Sequence, residues 1–233
     1  IPSRLVGSEM CIRDSVSKAF LQGLTYEEIA KDTGAPLREV HFELPPGCVP
    51  LLRQVDGFED FKPSTQVLHS DKPGTGLKDA PHAFSLKLAR STAKFGCRPL
   101  RTESQVEVLH RSNGTGRVLV LVLGKHVDDL KITGERSVVM ELIAVLEEEF
   151  GKLTVDWDTF DNCAVTHIRH EDGTWEAHQT KYAAALKPIA LGPEVNNTEL
   201  VSADLHHAFI SLVGAVAYLL ITRGDVAVYV VAL

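Results

Sequence analysis

An unbroken apolar run lies at Val118-Leu119-Val120-Leu121-Val122-Leu123, and a second apolar segment, Leu130-Lys131-Ile132-Thr133-Gly134, follows after only six residues. Runs of this length and β-branched content predict two largely buried strands, joined by a tight turn at His126-Val127-Asp128-Asp129. Elsewhere the period changes to that of a helix. Ala80, Ala83, Phe84, Leu88, Thr92 and Phe95 share one face, with Asp79 as the expected N-cap, Pro81 in the first turn and Gly96 as the stop. A second helix is expected from Ser137, with Val139, Leu142, Ile143, Leu146 and Phe150 on its inner face. Glu147, Glu148 and Glu149 crowd its last turn, where negative charge opposes the helix dipole, so that end must either fray or meet a basic partner.

A third helix is predicted over about 206–222, with Phe209, Leu212, Val213, Val216 and Leu220 in register, and a short one near Tyr26 to Lys31. Proline and glycine punctuate the rest of 24–75, which reads as a loop-rich subdomain with short strands. Alternation from Cys163 to His178, broken by Asp172-Gly173 and followed by Trp175, predicts a hairpin. No internal repeat is visible.

With 233 residues and 44% hydrophobic content, the chain has enough apolar material for one large domain or two small ones. Its apolar runs, the C-terminal one included, are interrupted by polar residues before they reach the roughly eighteen that read as a membrane span, so the expectation is a chain without a membrane partner. Cys11, Cys48, Cys97 and Cys163 are widely spaced and suggest neither a zinc ribbon nor a disulfide framework. A reducing compartment is the expectation. The sequons at Asn113 and Asn196 read as loop residues.

A net charge of -7 argues against a general nucleic-acid binder. Its distribution alters that conclusion. From 72 to 101 the chain carries Lys72, Lys78, Lys87, Arg90, Lys94, Arg98 and Arg101 against Asp79 alone, whereas 135–172 holds ten acidic residues against Arg136, Lys152 and Arg169. Such a division serves either as two solvated faces or as one basic surface near the Asp pair.

That pair, Asp128-Asp129, is the sharpest chemical signal. Charge at the end of a buried strand is costly unless a cation or hydrogen-bond donors compensate it. A hard divalent cation such as Mg²⁺ would do so, keeping its other positions for water or phosphate oxygen, as phosphoryl and nucleotidyl transfer require. An ordinary hairpin turn, in which Asp bonds its own backbone, accounts for the pair equally well on these grounds alone.

The order of motifs resembles that of the reverse transcriptases of copia-type long-terminal-repeat retrotransposons. Val16-Ser17-Lys18-Ala19-Phe20-Leu21-Gln22-Gly23 is similar to the first palm motif, and Leu44-Pro45-Pro46-Gly47 to the family's Gln-Pro-Pro-Gly. Gly76-Leu77-Lys78-Asp79-Ala80-Pro81-His82-Ala83-Phe84 resembles Gly-Leu-Lys-Gln-Ala-Pro-Arg-Ala-Trp, and His126 to Gly134 resembles Tyr-Val-Asp-Asp-x-x-Ile-Thr-Gly. Gln179-Thr180-Lys181-Tyr182 and Val213 to Asp225 match later blocks, the last ending in Thr-Arg-Gly-Asp where the family has Thr-Arg-Pro-Asp. Each is weak alone; together, in order and near family spacing, they are specific.

The resemblance implies an α+β polymerase palm, an antiparallel sheet with packed helices, with partial fingers before it and the start of a thumb after it. It implies RNA-directed DNA polymerase activity on an RNA or DNA template with its primer, deoxynucleoside triphosphates as substrates, and two Mg²⁺ ions. Asp128 and Asp129 match the metal-binding turn. The third ligand position, an aspartate just before Val16 in the family, is Ser15 here, and a neutral hydroxyl substitutes poorly for a bridging carboxylate. Asp14 lies one residue early, on the opposite face of a strand. Phe20 matches the aromatic that stacks under the incoming sugar, Gly76 a glycine close to the nascent base pair, and Lys78, Lys87 and Arg90 residues facing nucleic acid. The remaining polyprotein would supply integrase, protease and ribonuclease H, and the setting would be intracellular, in a cytoplasmic particle or the nucleus.

Leu5 to Ser15 looks like translated cloning or sequencing adapter, so 1–15 is set aside from fold reasoning. The expected organisation is then a first palm strand and partial fingers over 16–75, palm over 76–160, and palm end with the beginning of a thumb over 161–233. With Ser15, the departures at Asp79, His82, His126 and Gly224 suggest an inactive, degenerate transposon copy. A non-catalytic remnant that binds nucleic acid passively is the competing expectation. His167 and His170 near Cys163 do not make a zinc site, since their spacing on a strand puts them on different faces. No phosphate-binding Gly-x-x-x-x-Gly-Lys loop and no Gly-x-Ser-x-Gly elbow occurs.

Overall fold

A computed structural model describes residues 10–15, 19–45, 47–114, 116–190 and 201–232, with the backbone alone for 10–15. The chain is mixed α and β, and the strand pairs with assigned register are antiparallel. It divides into two compact units, one built around Asp14–Val155 and the other from Asp156–Leu233 together with Cys11–Arg13.

The first unit starts from β1 (Met10–Ser15), a 3-10 turn (Ala19–Gln22), α1 (Tyr26–Thr33), β2 (Val40–Phe42), α2 (Val49–Leu52) and β3 (Leu68–Ser70). It continues with α3 (Ala80–Phe95), β4 (Arg98–Pro99), β5 (Val106–Ser112), β6 (Arg117–His126), β7 (Asp129–Gly134) and α4 (Arg136–Phe150), and β8 (Thr154–Trp157) follows. Six strands form a sheet in the order β4-β5-β6-β7-β1-β8, while β2 and β3 form a separate antiparallel pair. The apolar runs at 118 and 130 pair as expected, Leu121 with Gly134 and Leu123 with Ile132. Leu121, Leu123, Leu130 and Ile132 are fully buried, with Val138, Val139, Leu142 and Leu146 of α4, which packs on β6 and β7. Phe84 of α3 meets Phe150 of α4 edge to face at 5.6 Å.

Two details of this packing explain residues in the motifs. A side chain on Gly134 would sit 2.4 Å from the Val120 carbonyl oxygen and 2.9 Å from Leu121 Cα, so only glycine fits between β7 and β6. Gly76 has φ +94, a conformation that L side chains rarely adopt.

The helices predicted at 80 and 137 form, and the acidic end of α4 does meet a cation, since Lys87 Nζ lies 3.3 Å from Glu149. The segment expected to open with a strand at Val16 differs where it is described. Ala19 to Gln22 is a 3-10 turn, Val16 to Lys18 fall outside the described residues, and the strand beside β7 is Met10–Ser15, in the segment set aside as adapter. Pairing, not provenance, decides strand formation: a strand between β7 and β8 satisfies backbone donors and acceptors on two neighbours at once. Asp79 is the second correction. It makes no capping bond and stays in the helical region, while its carboxylate takes Arg38 Nη1 at 2.6 Å.

The second unit holds β9 (Thr159–Asn162), β10 (Val165–Arg169), β11 (Trp175–His178), α5 (Thr180–Ala185), α6 (Ala203–Tyr218) and α7 (Ala227–Ala232), with short 3-10 turns at Leu219–Ile221 and Gly224–Val226. The hairpin expected at 163–178 is β10 and β11, joined by β9 into a three-stranded antiparallel sheet. The two later motif blocks meet. Buried Gln179 donates to the Tyr218 carbonyl and accepts from Thr222 Oγ1 at 2.9 Å, and the Tyr182 hydroxyl donates to the Ala215 carbonyl at 3.0 Å. The face predicted on α6 is nevertheless not sealed, with Phe209 exposed and Leu212, Val213 and Val216 half-buried. Ala203–Ile221 is also long and apolar enough to cross a membrane by length and composition, with a mean hydropathy of 1.6, contrary to the expectation of no span-length apolar segment.

Candidate metal-binding turn

The β6–β7 hairpin closes at His126 and Asp129, leaving Val127 and Asp128 as the two turn residues. Val127 has φ +56, in the left-handed region that disfavours β-branched side chains. Two-residue hairpins require such a φ at their first central position, and asparagine or glycine is its usual occupant. The hairpin therefore holds Asp128 at its tip against a local backbone cost, a feature often found at functional sites.

Cross-strand register sorts the neighbouring side chains. Lys125 opposite Leu130 and Leu123 opposite Ile132 point into the core, whereas His126 with Asp129 and Gly124 with Lys131 share the other face. Asp128 and Asp129 are half-exposed and His126 is exposed. The topology puts β1 next to β7, which makes the strand that ends at Ser15 the hydrogen-bonded neighbour of the strand that starts at Asp129.

Directly behind the turn is a charge pair that the sequence reading missed. Lys125 Nζ is bonded to Glu107 Oε1, with both side chains only 4% exposed, and Glu107 Oε2 is buried without a partner. Burial pushes the nearby Cys97 thiol up to about 11, and the negative charge of Glu107 adds to the effect. The signal was present: Lys125 is in phase with Leu121 and Leu123, and Glu107 with Leu109, so both polar residues fall on the core face.

Other candidate residues take varied places. Phe20 is half-buried in the 3-10 turn, next to the Gly23–Leu24 backbone that packs closely on Ala83 of α3. Gly76 and Lys78 are exposed just ahead of α3. Lys87 pairs with Glu149 and lies over the Phe150 ring at 5.1 Å, while Arg90 donates from Nε to Asp32 at 2.6 Å.

Magnesium chemistry matches the donor type at the turn, since adjacent carboxylate oxygens suit a hard cation. The number of donors falls short. Among the described residues no group of three His, Cys, Asp or Glu side chains converges, and serine stands at the end of β1 where the resemblance implies a third carboxylate. No protein-family model, curated protein or solved structure matches the chain.

Proposed function

We propose that this chain is a fragment of a retrotransposon reverse transcriptase, whose parent transfers deoxynucleotides onto a primer 3′-hydroxyl under template direction. The observation that carries the reading is Asp128-Asp129 on a strained two-residue hairpin whose second strand neighbours the strand ending at Ser15. The family motif order supports it. Asp128 and Asp129 would hold Mg²⁺, which when bound lowers the charge cost of phosphoryl transfer. Phe20 and Gly76 would border the incoming nucleotide, and Lys78, exposed ahead of α3, would face template phosphate. Lys87 and Arg90 are already matched with carboxylates and contribute less to that surface.

In this chain the site lacks one carboxylate, and we propose that it does not catalyse. Primer extension on poly(rA) with oligo(dT) in Mg²⁺ tests both parts. The chain as it stands is expected to give no product, and Ser15→Asp is expected to restore extension that Asp128→Asn then abolishes. Extension by the unaltered chain would remove Ser15 as the defect. Extension that survives Asp128→Asn would remove the metal assignment. The second reading, a remnant that only binds nucleic acid, is favoured by the incomplete donor set, and it gains if Ser15→Asp folds normally yet stays inert.

A further inference from the structure

Helical spacing places Lys87, Arg90 and Lys94 on one face of α3. Opposite them, the Gly23–Thr25 turn, α1 and Lys72 wall a recess of about 310 Å³. Four cationic side chains line it against two carboxylates, Glu28 and Glu149, and Asp32 pairs with Arg90 beside it, which leaves an excess of one positive charge in a chain that is acidic overall. The carboxylates are engaged. Glu28 accepts from the Thr25 N–H at 2.8 Å in a capping box, which also holds it below its usual pKa, and Glu149 pairs with Lys87. Arg90 is oriented by Asp32 and lies 3.6 Å from Glu28. Lys72 and Lys94 have no carboxylate partner among the described residues, so the excess sits on the two ammonium groups at the recess.

Positive charge concentrated in a concave, partly desolvated space raises the local concentration of anions, and ammonium and guanidinium groups bond phosphate oxygen strongly. The volume suits a few linked phosphates or a small nucleotide. We propose that this recess is an oligophosphate site, in which Lys72 and Lys94 grip the anion and Lys87 and Arg90, fixed by their carboxylates, complete its floor. Asp128 and Asp129 take no part, so the site stands or falls independently of the polymerase reading.

Calorimetric titration without added metal tests this, using inorganic tripolyphosphate in one arm and a nucleoside triphosphate in the other. The chain should bind tripolyphosphate saturably, and Lys72→Gln with Lys94→Gln should weaken it by about tenfold or more. The charge-matched Lys62→Gln with Lys152→Gln control, at exposed lysines outside the recess, should change affinity less than about twofold. Equal affinity for the two ligands would assign recognition to the phosphates alone, and tighter nucleotide binding would add a contact to the nucleoside; either supports the site. Because all four lysines stand at the surface, unchanged thermal midpoints are expected and confirm folding. Absence of saturable binding at millimolar ligand, or equal weakening in both double variants, would overturn the proposal.

Discussion

The two faces of the β6–β7 hairpin carry charge under opposite rules. On the inner face Lys125 is matched by Glu107 and both are shut away from water, whereas on the outer face and at the tip two adjacent carboxylates, Asp129 and Asp128, stand half-exposed. A buried pair is worth little relative to apolar replacements yet costly to break, while half-exposed charge costs the fold little. Stability and chemistry are thus separated by the two-residue period of a strand.

Breaking the inner pair should have the largest effect. Lys125→Met alone strands the Glu107 carboxylate and is expected to cost about 3–5 kcal/mol in urea unfolding, while adding Glu107→Leu should recover most of that. If the single and double variants lose equally, the pair is not what organises that face. Leu123→Ala, one step along on the same face, should cost about 3 kcal/mol through the cavity it leaves. Gly134→Ala follows at about 2 kcal/mol, because the new methyl group meets the β6 backbone.

A pH series sharpens the contrast further. Cys97 holds its proton more tightly folded, near pKa 11, than at its ordinary 9.0, so its contribution should be complete below about pH 9 and disappear as pH rises toward 11. Unfolding midpoints across that range should fall more steeply for the natural chain than for Cys97→Ala. The smallest stability effect belongs to the outer face: Asp128→Asn should shift stability by less than about 0.5 kcal/mol. A loss of several kcal/mol there would make the turn a structural element.

Much of this was legible in the sequence because period and burial coincide. The face of α4 read from Val139, Leu142, Ile143, Leu146 and Phe150 is the face that is buried, and Asp172-Gly173 marked the β10–β11 turn. What was not legible depends on partners distant in sequence. Asp79 has the composition of a cap, but Arg38, forty-one residues away, captures its carboxylate. Glu107 and Lys125 look like surface residues until register places Glu107 opposite Leu123, which sets it diagonal to Lys125 on the same core face. At the candidate site, adjacency and turn geometry followed from the local run at 126–130, while the strand at its side came from a segment whose composition gave no reason to include it. The face of α6 shows the converse, a clear pattern that the described residues leave largely uncovered.

The position of β1 has a practical side. Shortening the protein to begin at Val16, the natural choice if the preceding residues are foreign, would strip β7 of its outer neighbour and leave its backbone donors and acceptors as an open template for another molecule. Recombinant material trimmed in that way should self-associate through the very edge that starts at Asp129, and a replacement strand in its place would guard against clumping.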